Sequence, residues 1–144
     1  MSYGMSAALQ QAVYQRLMSD AAVNAEVGEA IYDVVPAGQV PSTYVSIGPE
    51  DVRDWSDKSG HGARHDFVVS VVTDAAGFQT AKAAAGAIAD ALVGTRLPMV
   101  RGHLVALNFR RAQARRLEAG TIRRIDLSFR AHVQDTHSTE SETK

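Results

Sequence analysis

From Ile122 to Val133 the chain alternates. Ile125, Leu127, Phe129, Ala131 and Val133 are apolar, while Arg124, Asp126, Ser128, Arg130 and His132 between them are polar. Side chains of a strand point to opposite faces with a period of two, so this run suits a strand with one buried face and one wet face. Such a strand needs a neighbour beside it and a layer over its apolar side. His103 to Arg111 supplies the neighbour, through a turn near Leu117–Gly120, which predicts a long C-terminal β-hairpin.

The remaining elements fit around that hairpin. Phe67 to Thr73 is rich in β-branched residues and apolar on both faces, which predicts a central strand. Ile31–Val35, Tyr44–Ile47 and a bent Glu50–Ser56 are three further strands, the second stopped by Gly48-Pro49. Asp57–Ala63 is polar and glycine-containing, so it is expected to be a flexible tip. Leu9, Val13 and Leu17 recur at helical spacing behind Ser6, a candidate N-cap, and Asp20 is placed to cap a short helical piece that Gly28 ends. Phe78–Val93 is an alanine-rich helix with Ala81, Ala84, Ala85, Ile88, Ala89 and Leu92 in one stripe, stopped by Gly94. The expected fold is α+β: a mostly antiparallel mixed sheet, with an N-terminal helix and the alanine-rich helix packed on it. One domain is expected over residues 1–134, followed by a disordered polar tail over 135–144.

Composition narrows the function classes. Without a cysteine there is no disulfide, thiolate metal site or cysteine nucleophile. No apolar run is long enough to span a bilayer as a helix, and the first residues lack the basic and apolar regions of a signal peptide. The net charge of −1 conceals a split: residues 1–66 hold nine acids against four bases, and residues 96–130 hold nine arginines against two carboxylates. A split of this kind bears on partners and self-association.

The stretch DWSDKSGHGARHDF is where chemistry would be sought, because His61 and His65 stand four apart near Asp54, Asp57 and Asp66. Histidines at that spacing share a metal on a helix, but Gly60 and Gly62 oppose a helix here. In a strand they would stand about 13 Å apart, too far for one ion. The expectation is a solvated tip with incidental histidines and aspartates too wet for acid/base work; bound-metal analysis and a His65→Ala variant test the opposing enzyme reading. Walker A and GxSxG patterns do not occur, and the lone Trp55 is expected to pack or to sit in an interface. Neither a catalytic residue nor a cofactor is expected.

Arg110, Arg111, Arg115, Arg116, Arg123 and Arg124 gather at the far end of the hairpin as a protruding cationic ribbon. Counting parity groups Arg110, Arg116 and Arg124 in one phase and Arg111, Arg115 and Arg123 in the other. The ribbon is either a solvated hairpin kept soluble by charge or a contact for phosphates or an acidic protein surface. Non-specific nucleic-acid binding is therefore the alternative function, tested by gel shift at low and moderate salt.

Residues 6–134 resemble the tail-completion, or tail-terminator, proteins of long-tailed bacteriophages and phage-derived gene transfer agents. The resemblance lies in the opening helix SAALQQAVYQRLMSDAAVNAEVG, then IYDVVPAGQVPSTYVSIG and DWSDKSGHGARHDFVVSVVT. The alanine-rich helix and the closing NFRRAQARRLEAGTIRRIDLSFRA complete it. It implies a non-enzymatic virion component assembled in the bacterial cytoplasm: a hexameric ring that caps the tail tube, meets the head-side connector and lets DNA pass through its centre. The implied partners are other copies of the chain, the tail tube protein, the connector and, transiently, DNA, with no membrane. Candidate subunit or axial contacts are Asp54, Trp55, Asp57, Lys58, His61 and Arg64 at the tip, and the six hairpin arginines, 110, 111, 115, 116, 123 and 124.

Overall fold

The computed structural model describes residues 3–58 and 60–135. In chain order the elements are α1 (Ser6–Ser19), α2 (Ala21–Val27), β1 (Ile31–Tyr32), β2 (Thr43–Asp54), β3 (His61–Thr73), α3 (Gln79–Leu92), β4 (His103–Leu117), a 3-10 turn (Glu118–Gly120) and β5 (Ile122–Asp135). The strands form one sheet in the order β1-β2-β3-β5-β4. β1 runs parallel to β2 and every other pairing is antiparallel, so this is the expected α+β fold with a mixed sheet and a closing hairpin.

The alternation in β5 does what it predicts. Ile125, Leu127, Phe129, Ala131 and Val133 are buried, and the residues between them are partly exposed. β5 lies between β3 and β4, and β3 lies between β2 and β5, so both central strands owe their place to apolar content. Phe129 is fully buried and stacks on Phe67 at 5.6 Å between ring centroids, with the edge of Phe109 at 6.0 Å on the other side. Over this face lies α3, whose buried Ala81, Ala84, Ala85 and Ala91 let the helix sit close to the strands. α1 packs on α3 through the stripe Leu9, Val13 and Leu17.

Several expectations are corrected. The expected strands Tyr44–Ile47 and Glu50–Ser56 merge into one strand that ends at Asp54, because a bulge between Gly48 and Glu50 carries the ladder past Pro49. β1 is shorter than expected and stops at Tyr32, and β4 runs on through the arginines to Leu117. Ser6 does not cap α1: Met5 is the N-cap residue, and the Ser6 hydroxyl donates to Glu50 Oε2 at 2.6 Å instead. Asp20 does cap α2, accepting from the Val23 N–H at 3.1 Å, and Gly28 ends that helix at φ 60°. β5 includes Asp135, which Arg101 holds at 2.9 Å. The rest of the expected tail lies outside the described residues.

Candidate functional site: the outer sheet face and the arginine hairpin

Antiparallel partners directly opposite each other share a sheet face. On the face turned away from the helices, β3 and β5 pair Arg64 with His132, Asp66 with Arg130 and Ser70 with Asp126. Arg130 forks Asp66, with Nε at 2.7 Å and Nη2 at 3.2 Å from its two oxygens. That hydrogen bonding holds the Asp66 carboxyl below its ordinary range against the opposing effect of burial. Asp66 is thus a mid-strand ion-pair partner and not part of a wet tip. Trp55 stacks on His132 at 4.7 Å, with the Arg64 guanidinium 5.8 Å from the indole ring. Burial and then the charges of Arg130 and Arg64 lower the His132 pKa.

The hairpin arginines divide differently from parity. Arg115 faces Arg124, and Arg116 faces Arg123, because the strands are paired across a turn that fixes the register. A bulge between Phe109 and Arg111 resets the count again. Arg115 and Arg124 meet Asp126 on the outer face, at 3.0 and 2.9 Å. Asp126 lies below its usual range: burial raises its pKa, but hydrogen bonds from Ser70 and Arg124 outweigh it. Arg116 and Arg123 lie against the Phe78 ring at 5.8 and 5.6 Å, and Arg123 donates to the Ala75 carbonyl at 3.1 Å. The ribbon is therefore only partly a free cationic projection. Arg110, Arg111 and Arg116 are exposed, whereas Arg123 and Arg124 are half-buried and engaged within the fold.

The tip is built more firmly than expected. Asp57 and Gly60 form a bridge, the Trp55 N–H donates to the Gly62 carbonyl at 2.9 Å, and Ser56 Oγ donates to Asp54 at 2.7 Å. Lys58 is exposed at the turn, and His61 opens β3 opposite Asp135. His65, by contrast, is no solvated histidine. It is fully buried in β3, with Nδ1 3.6 Å from Glu50 Oε1. Burial lowers its pKa, and Glu50 only partly offsets this. Burial would raise the Glu50 carboxyl, but bonds from Ser6 and Tyr3 and the facing His65 bring it below its ordinary value. The structure thus separates the two histidines: one at a strand end, one fully buried mid-strand beside Glu50.

Two surface features escaped the sequence reading. A cleft of about 750 Å³ opens beside β1, lined by Tyr3, Tyr14, Tyr32, Asp33 and Val34 among others. At the opposite sheet edge Val105 and Phe109 are exposed on β4. Only the sheet order reveals these two apolar residues as lying on an edge strand.

This strand order and helix placement can be compared with known proteins. A family model described as tail completion protein gp17 matches residues 11–134. The chain belongs to the tail completion protein gp17 family. Among solved structures, it is similar to a chain described as from the virion of a native gene transfer agent particle, at 62% identity and a TM-score of 0.87. The match covers 92% of this chain and 99% of that one. A search of curated proteins found no match. This tail completion protein is accordingly a structural tail component.

Proposed function

We propose that this chain is the tail terminator of a gene-transfer-agent-like or phage-like virion. It closes as a hexameric ring on the head-proximal end of the tail tube, stops tube growth, and presents a surface to the head-side connector while DNA passes through the ring. The observation that carries this reading is the family match across residues 11–134, supported by the 62% identical chain from a gene transfer agent virion. The charge split is compatible with it, since a closed head-to-tail ring joins two different patches on each copy. In this reading the chain performs no catalysis. The tip residues Asp54, Trp55, Asp57, Lys58, His61 and Arg64 and the exposed hairpin arginines make subunit or axial contacts. Arg123 and Arg124 hold the hairpin in shape for them.

Deleting the gene for this chain tests the proposal. Particles then accumulate as separate heads and tails, with tails of uncontrolled length, and supplying the wild-type chain restores joined particles. Normal yields of joined particles in the deletion would refute it.

A further inference from the structure

Among the described residues, the exposed large apolar side chains other than Trp55 and Val100 gather toward the two opposite ends of the strand order, with Val93 lining the groove beside Val105. At the β1 end Tyr3, Tyr14 and Val34 surround the 750 Å³ cleft, and Val34 is 80% exposed. At the β4 end Val105 is 60% and Phe109 45% exposed. β4 is a fifteen-residue edge strand whose side chains are exposed without interruption from Asn108 to Arg116. Long uncovered edges invite pairing and are normally blunted or covered. Grouped apolar exposure of this kind marks a contact surface.

The two edges also carry opposite charge. Asp33 lines the cleft, and Glu26 and Glu29 are exposed just before β1. Arg96 lines the shallow groove beside Val105, and Arg110 and Arg111 follow Phe109 along the strand. One edge thus carries a concave apolar patch with Asp33 in its lining and acids in the segment before it, and the other carries exposed apolar side chains with arginines beside them. Because the two patches differ and lie on opposite edges, a contact between them is heterologous and propagates from copy to copy until it closes.

We infer that the occupant of the tyrosine cleft is a second copy of this chain, which inserts the Val105–Phe109 ridge of its β4 edge. This rests on the ring reading above and deepens it by naming the two faces that meet.

The absence of native cysteines makes the test clean. Val34→Cys and Val105→Cys change exposed positions outside the core. Tails assembled with each variant are treated with a short bismaleimide, resolved on a denaturing gel, and imaged in parallel. The double variant V34C/V105C gives a ladder of linked chains. A mixture of the two single variants gives a linked dimer, and either single variant alone gives none. Gln10→Cys with Phe109→Cys is the second pair should the first disturb folding. Self-linking of V34C alone would reveal an isologous contact and overturn the inference. So would imaged rings whose double variants from both pairs yield no ladder, while the ring reading would survive. Tails without any ring on imaging would overturn both.

Discussion

Arg115 and Arg124 face each other across the β4–β5 ladder, and both reach one carboxylate, Asp126, at 3.0 and 2.9 Å. Like charges directly opposite on a sheet repel. Here the shared acid converts the repulsion into a bridge that ties the hairpin to Ser70 of β3, whose hydroxyl donates to Asp126 at 2.6 Å.

Asp126→Ala therefore strands two arginines against each other. The expected loss is about 2–3 kcal/mol, the scale of hydrogen bonds to a charged group. Arg115→Ala costs at most about 1 kcal/mol, since exposed ion pairs contribute little and this side chain is 47% exposed. Urea unfolding midpoints of the two variants check the ordering.

Stability falls on acidification in two windows. His65 has a folded pKa below its ordinary 6.5, so the unfolded chain takes up the proton first; its contribution is complete above pH 6.5 and is lost as pH falls from there toward the folded pKa. His132 acts in the same direction. Glu50, Asp66 and Asp126 have folded pKa values below 4.5, 3.8 and 3.8, so their contributions are lost as pH falls below those values. His65→Leu flattens the upper window, leaving the share of His132, and leaves the lower one in place apart from the share of Glu50 that depends on His65. Unfolding midpoints between pH 8 and pH 3 measure both; an unchanged upper window in the variant contradicts this assignment.

Phe129 and Phe109 touch, but they do different work. Phe129→Ala empties a fully buried site and is expected to cost about 3–5 kcal/mol. Phe109→Ala trims a half-exposed ring and should leave the unfolding midpoint close to wild type while reducing assembly on tails. Chemical unfolding and counts of joined particles, taken on the same preparations, separate the two effects.

Arg110→Glu with Arg111→Glu reverses two exposed charges, of which Arg110 also helps to hold the Asp66 carboxyl ionised. The stability change should stay within about 0.5 kcal/mol, as for surface positions generally. The yield of joined particles should fall severalfold. Full yield would remove these two arginines from the contact surface.

Much of this architecture is legible in the sequence because burial writes itself into periodicity. The β5 alternation, the two-faced apolar run of β3 and the alanine stripe of α3 each record which side is covered. Register is not recorded in that way. Parity counting put Arg116 with Arg124, whereas the register set by the hairpin turn puts Arg115 there. His65 read as part of a solvated tip because Gly60 and Gly62 precede it, yet the β-ladder begins at His61 and carries it into the core. The tyrosine cleft was out of reach, since it joins residues of α1 to residues of β1 that only tertiary packing brings together.

The most direct measurement is a reconstruction of the head–tail junction in intact particles, with this chain located by a small tag. The account predicts a closed ring of identical copies on the last turn of the tail tube, with the β4 edge of each copy against the β1 edge of the next. A single copy at the junction, or copies placed along the tube or at its far tip, would contradict it.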